Sequence, residues 1–208
     1  MKQLLFSAIA IAALTVTACN NSADKNGHEG HNDAAKDTAQ HTSATNDADV
    51  KMITPMFTNV DAKASASMKQ IFTAYMDITT ALGADDAPKA GQSGIAMASA
   101  IGSLDKSLLT DEQKKMFDEY QASLKEHAEH IADNKSNIQH QREHFAPMSE
   151  EMYGLAKAFG AGQPVYQAHC PMYNENKGGM WLTASKEIRN PYFGSEMLTC
   201  GKVQEMIH

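Results

Sequence analysis

Residues able to bind a soft metal ion cluster near the carboxyl terminus of this 208-residue chain. Cys170 and Met172 are two positions apart, Met197 and Cys200 are three apart, and His169 precedes the first cysteine. Side chains two apart in an extended segment face the same side, and a turn can bring residues three apart to one centre. Two thiolates and two thioethers favour Cu(I) over hard cations, and an imidazole adds a borderline donor. We therefore expect a site for Cu(I) or a similar soft cation, formed by His169, Cys170, Met172, Met197 and Cys200.

The same two cysteines allow a second interpretation, which is a disulfide bond. Cys170 and Cys200 lie thirty residues apart in a segment with little apolar area of its own. In an oxidising compartment a disulfide of this span stabilises a small fold by about 3 kcal/mol. Spacing alone does not choose between the metal site and the disulfide. The two are also compatible, since a reducible disulfide can guard a copper site.

Two pairs of histidines upstream form secondary metal candidates. His127 and His130 are three apart, His140 and His144 are four apart, and either spacing stacks two imidazoles on one helix face. The second pair, with Glu143 between, also matches the H-x-x-E-H pattern of inverted zinc peptidases. Those peptidases have larger folds and need a further, distal carboxylate. A zinc hydrolase is therefore the least favoured hypothesis, and we expect that the protein is not an enzyme. His127 lies on the apolar seam of its helix, where a partly buried, hydrogen-bonded histidine is the favoured interpretation.

Four stretches with helical spacing of apolar residues precede the cysteine-containing tail. Gly83 and Gly160 end the first and the fourth stretch, and Thr110 with Gln113 forms a capping box before the third. Short connections place successive helices side by side. The predicted fold class is all-α: an up-down antiparallel four-helix bundle over residues 55–160, on which an irregular, partly extended tail packs. That tail, residues 161–208, belongs to the same domain.

The amino terminus has the pattern of a secretory signal. An apolar run from Leu4 to Val16 follows Lys2 and ends in small residues before Cys19. The run is too short to span a bilayer. We expect residues 1–18 to be the signal peptide and residues 19–54 to be a flexible tether, because positions 20–49 contain no large apolar residue.

The cysteine at the end of this signal resembles the lipobox of bacterial lipoproteins. That resemblance implies that Cys19 is lipidated and anchors the mature protein to a membrane. Asn20 follows it, where inner-membrane retention is associated with Asp, so we expect the periplasmic face of the outer membrane. Ordinary cleavage that leaves a free cysteine is the alternative.

Net charge and composition exclude several classes of protein. The formal net charge is −7, whereas nucleic-acid binding needs a cationic surface, so we expect no nucleic-acid partner. The apolar fraction of 42% is enough for a core and excludes a wholly disordered chain.

Several longer motifs resemble an uncharacterised, domain-of-unknown-function family of bacterial envelope proteins. The tail motifs cover residues 166–172, 178–182, 187–194 and 197–201, and the helical part has Gln-Arg-x-x-Phe at residues 141–145. A similar tail occurs on periplasmic adaptor subunits of heavy-metal efflux systems, which implies handling of copper or related cations. The Cys-Pro-Met motif is also similar to that of short heavy-metal-binding domains, although Tyr173 stands where that pattern has His.

These observations lead to one expected function and one alternative. We expect a lipid-anchored periplasmic protein that binds Cu(I) or a similar soft cation in metal resistance and efflux. The alternative is an interaction module, stapled by a disulfide, that docks on a periplasmic efflux adaptor without binding metal.

Overall fold

The computed structural model describes residues 50–208. The predicted signal peptide, the lipid attachment at Cys19 and most of the predicted tether lie outside the described residues. Within them, no helix combines the length and the apolar character that crossing a bilayer requires.

Four long helices form a bundle, as the spacing of apolar residues predicts. They are α1 (Ala62–Gly83), α2 (Ala87–Ser103), α3 (Asp111–Asp133) and α4 (Ile138–Phe159). Each helix packs against the next one along the chain. The bundle part of the prediction is therefore confirmed, including the end of α1 at Gly83.

Each helix begins at a side chain that accepts a hydrogen bond from a free backbone amide. Asp61, Asp86 and Asn137 cap α1, α2 and α4 in this way. At α3 the Thr110 hydroxyl accepts from the Gln113 amide while the Gln113 side chain accepts from the Thr110 amide, which confirms the predicted capping box. Local sequence thus fixes where the helices start.

The prediction of an all-α fold is wrong, because the tail forms a β-sheet together with residues 51–53 of the predicted tether. Its strands are β1 (Lys51–Ile53), β2 (Val165–Cys170), β3 (Gly179–Thr183) and β4 (Lys202–Ile207), in the order β1-β4-β2-β3. The β1–β4 pair is parallel, whereas β2 is antiparallel to both β4 and β3. The protein is therefore a helical bundle with a mixed four-stranded sheet.

Two features of the sheet explain why the sequence did not predict it. A bulge between Gln167 and Ala168 interrupts the alternation of buried and exposed residues in β2, so its burial follows no simple period of two. Strand β1 has only three residues, lies within the predicted tether and pairs with β4 at the far end of the chain. A pairing between segments so far apart produces no local pattern in the sequence that would predict the strand.

The sheet packs on the bundle mainly through β3 and α4, and aromatic residues fill the contact. Trp181 and Tyr192 are buried, and the Tyr192 ring lies 5.6 Å from that of Phe145 on α4. The Tyr75 hydroxyl on α1 accepts a hydrogen bond from the Leu182 amide of β3 and bonds to Ser149 of α4. One buried hydroxyl thus joins two helices to the sheet.

Three shorter elements connect the helices and the strands. Two 3-10 helices lie at Lys106–Leu108 and Gly194–Glu196, and a four-residue helical turn, α5, at Tyr173–Asn176. Within α5, Asn174 to Asn176 have positive φ, so this turn is left-handed. It separates β2 from β3 directly after the Cys-Pro-Met motif.

Candidate metal centre

The four helical histidines come together on the seam between α3 and α4. Because these helices run antiparallel, His127 and His130 of α3 both face His144 of α4, and His140 lies beside His144. The rings of His130 and His144 stack with centroids 4.1 Å apart, and those of His140 and His144 are 4.7 Å apart. The two pairs predicted separately from sequence therefore form one group, which we call the histidine cluster.

Three members of the histidine cluster present nitrogens to a common point. One ring nitrogen each from His130, His140 and His144 lies within 4.8 Å of the others. In a tetrahedral zinc site with bonds of about 2.0 Å, ligand nitrogens stand about 3.3 Å apart. Small rotations of the side chains would therefore bring the three nitrogens to this spacing. Such rotations are sterically possible because His130 is exposed and the other two side chains are half-buried.

Hydrogen bonds already hold parts of the cluster in place. His140 Nδ1 lies 3.0 Å from a Glu143 carboxylate oxygen one turn along α4. His127 Nδ1 lies 3.1 Å from His144 Nδ1, and His127 Nε2 lies 3.3 Å from the Ser123 hydroxyl. Metal-bound histidines commonly have such a partner on the ring nitrogen that does not bind the metal.

The electrostatics favour a neutral imidazole at the centre of the cluster. Burial lowers the pKa of His144 below its ordinary value, and the neighbouring His130, His127 and His140 lower it further. A neutral imidazole has a free lone pair, which is the form that binds metal.

The predicted soft site in the tail is assembled only in part. Cys170 ends β2 and is fully buried, Cys200 precedes β4 and is partly exposed, and their sulfurs are 2.6 Å apart. Both are free cysteines in this structure. Burial, together with the Cys170 thiol beside it, raises the pKa of Cys200 to about 11, so this thiol is protonated at neutral pH.

The three other predicted donors take different positions: the backbones of Met172 and Met197 each hydrogen-bond to Cys200, whereas His169 is turned away. His169 precedes Cys170 in β2, so its side chain points to the opposite face of the sheet and lies against Gly178. Met172 is 50% exposed at the start of α5, and Met197 follows the second 3-10 helix. Among the described residues, the only group of three or more histidine, cysteine or carboxylate side chains close enough to share an ion is that of His130, His140 and His144.

Two residues of the centre carry roles that the sequence did not reveal. Ser123 lies four residues before His127 on α3, a spacing that places their side chains together on one helix face. Glu143 fits the H-x-x-E-H pattern, but its carboxylate contacts His140 Nδ1 instead of facing the point between the three histidines. The sequence signals for these two contacts were the spacing of four residues between Ser123 and His127 and the spacing of three between His140 and Glu143.

Comparison with known proteins identifies part of the chain. A domain of the family described as protein of unknown function (DUF3347) is found at residues 71–164. This range includes the whole histidine cluster and ends before β2, which agrees in part with the resemblance to an uncharacterised domain family. No curated protein and no solved structure matches the chain.

Proposed function

We propose that this protein binds a divalent transition-metal ion through His130, His140 and His144. The observation that carries the proposal is the convergence of three imidazole nitrogens within 4.8 Å on the α3–α4 seam. Imidazole suits Zn²⁺, Cu²⁺ and Ni²⁺, whereas Cu(I) prefers sulfur donors. The cluster is therefore a site for a borderline divalent ion, and copper enters it as Cu²⁺.

The role is binding or transfer of the ion and not catalysis. In H-x-x-E-H hydrolases the glutamate acts on a metal-bound water. Here the Glu143 carboxylate is held 3.0 Å from His140 Nδ1, where it orients a ligand. With the side chain of His130 45% exposed, the site is open at the protein surface, and an ion can enter and leave directly.

We place this binding in the cell envelope, as a lipid-anchored protein of metal resistance. The support is the signal pattern ending at Cys19 and the similarity of the tail motifs to those of periplasmic efflux adaptors. On this proposal the lipid on Cys19 holds the protein at the periplasmic face of the outer membrane, where it sequesters the ion or passes it to an efflux adaptor.

Calorimetric titration of the full chain with Zn²⁺ and Cu²⁺ tests the binding. We expect one ion bound with a Kd below about 1 μM, and loss of that site in the double variant His140→Ala/His144→Ala. The matched control is His28→Ala/His31→Ala, which removes two histidines of the amino-terminal segment and should leave the affinity unchanged. Loss of the tight site in the control, or its persistence without His140 and His144, contradicts the proposal.

A second candidate is a Cu(I) site at the thiol pair. The sulfurs of Cys170 and Cys200 are in contact, and Cys200 is partly exposed, so a Cu(I) ion bound by two thiolates has a route to the site. Binding must release protons, because the Cys200 thiol is protonated at neutral pH. Titration of the reduced protein with Cu(I) should show a site that Cys200→Ser abolishes and that His140→Ala/His144→Ala leaves intact.

The rival for the same two residues is a disulfide in a module that docks on an efflux adaptor without metal. Counting free thiols in denaturant, before and after reduction, separates the two alternatives in the Cys19→Ser protein. A disulfide gives no free thiol before reduction and two after it. Two free thiols in both samples, in protein isolated without reductant, contradict the stapled module.

A further inference from the structure

Hydrogen bonds to the ring nitrogens of His140, His144 and His127 decide which nitrogen of each can bind an ion. His140 Nδ1 faces the Glu143 carboxylate at 3.0 Å. An ionised carboxylate can only accept hydrogen bonds, so His140 Nδ1 carries the proton and donates to Glu143. The lone pair of His140 is then on Nε2, which is free to bind metal.

His144 and His127 share one hydrogen bond between their Nδ1 atoms, and two arrangements of protons satisfy it. In the first, His144 Nδ1–H donates to His127 Nδ1, and His127 Nε2–H donates to the Ser123 hydroxyl. In the second, the Ser123 hydroxyl donates to His127 Nε2, and His127 Nδ1–H donates to His144. The second arrangement puts the proton of neutral His144 on Nε2 and leaves its Nδ1 lone pair accepting, so neither nitrogen can bind an ion.

Only the first arrangement allows His144 to bind an ion while the contact with His127 is kept. It also occupies both nitrogens of His127: Nδ1 accepts from His144, and Nε2 donates to Ser123. His127 is correspondingly outside the group of three whose nitrogens lie within 4.8 Å. The chain from Ser123 through His127 to His144 is therefore complete without His127 touching the ion.

We infer that His140 and His144 bind the ion through Nε2, and that His127 is a positioning residue, held by Ser123, that fixes the orientation and tautomer of His144. This inference rests on the proposed metal binding. It divides the four histidines into three ligands and one orienting residue, and it leaves the remaining coordination positions of the ion to water or to a ligand from outside the cluster.

Two substitutions of His127 separate a positioning residue from a fourth ligand. His127→Ala removes the acceptor for His144 Nδ1–H, so the affinity for Zn²⁺ should fall by about 10- to 100-fold, as for other partners of metal-bound histidines. His127→Asn places an amide oxygen near the position of Nδ1 and should restore most of that affinity. His169→Ala, which removes a histidine of β2 outside the histidine cluster, is the matched control and should leave the affinity for Zn²⁺ unchanged.

The experiment uses the full chain in a His28→Ala/His31→Ala background, with Zn²⁺ as the probe in calorimetry and in X-ray absorption spectroscopy. We expect three imidazoles on zinc both before and after His127→Ala. Four imidazoles falling to three would make His127 a ligand and overturn the inference. An unchanged affinity in His127→Ala would also overturn it, with metal binding intact.

Nuclear magnetic resonance of the ¹⁵N-labelled histidines gives a second measurement that needs no variant to fold. In the zinc-bound protein, His144 should carry its proton on Nδ1 and His127 on Nε2. The opposite tautomer of His127 contradicts the inference. If the unsubstituted chain has no site for Zn²⁺ with a Kd below about 1 μM, the proposed function itself fails, and this outcome is distinct from failure of the inference about His127.

Discussion

A histidine offers a metal only the nitrogen that no other group has engaged. The spacings at His127/His130 and at His140/His144 predict two chelating pairs, each within one helix. The structure joins the pairs across α3 and α4, and hydrogen bonds distinguish His127 from the others. At the scale of single residues, the spacings therefore predict each pair, whereas the grouping of all four histidines depends on contacts between helices.

Charged residues away from the centre also have roles that only contacts reveal. The buried Arg142 guanidinium donates to the Leu82 and Pro191 carbonyls and to Asp85, and so ties α4 to the end of α1 and to the tail. Hydrogen bonds from Ser195, together with Arg142, lower the pKa of Asp85 to about 2. The folded state thus favours the ionised carboxylate.

This pKa predicts a pH-dependent effect of Asp85→Asn. Since the folded-state pKa is below the unfolded value of 3.8, the stabilisation is fully present above pH 3.8 and is lost as the pH falls through about 2. At pH 7 the variant should lose about 1 kcal/mol of unfolding free energy, a small value because water screens this partly exposed carboxylate. Urea unfolding at several pH values measures it. A difference between the two proteins that stays constant from pH 7 to pH 2 would contradict the assignment.

At the scale of elements, glycines decide how closely α2 approaches α3. In the sequence, Gly91, Gly94 and Gly102 weaken the prediction of α2, because glycine disfavours helices. The structure places Gly94 against the backbone of α3: a Cβ there would lie 2.6 Å from the Ala128 carbonyl oxygen. The helix therefore tolerates a poor helix former because packing against α3 requires it.

Two glycine substitutions in the same helix should have opposite effects. Gly94→Ala forces α2 away from α3 and should lower the free energy of unfolding by about 1–3 kcal/mol, as other overpacked contacts do. Gly102→Ala is the matched control, since a Cβ at Gly102 meets nothing within 4 Å. It should raise stability by about 0.5 kcal/mol through helix propensity. Thermal and urea unfolding measure both, and equal effects of the two substitutions would refute the close approach.

At the scale of the whole molecule, the sheet joins the two ends of the described chain to the helical bundle. Strand β1 pairs with β4 near the carboxyl terminus, and β3 packs on α4. The Tyr75 hydroxyl is central to this assembly, because it bonds both Ser149 and the Leu182 amide while its ring stacks on Phe145 at 5.4 Å. Burial raises the pKa of Tyr75 to about 12, so the hydroxyl remains neutral.

Removing this one hydroxyl should weaken the whole fold. Tyr75→Phe keeps the ring but leaves the buried Leu182 amide without its acceptor, which costs about 1–3 kcal/mol. Urea unfolding monitored by the fluorescence of Trp181, the single tryptophan of the chain, measures the loss directly at the sheet. Tyr166→Phe on the partly exposed side of β2 is the control and should change stability little. Equal effects of the two substitutions would show that the Tyr75 hydroxyl has no special role.

The sequence by itself determined the helices, because their signals are local: apolar residues at helical spacing, caps such as Thr110, and glycine stops. It also identified the histidine pairs and the two cysteines as the groups with chemistry. Only the tertiary structure decided that the tail is a sheet, that four histidines form one cluster, and that His169 points away from the thiols. Each of these depends on pairing between residues distant in the chain, whose contact energy appears only when the fold brings them together.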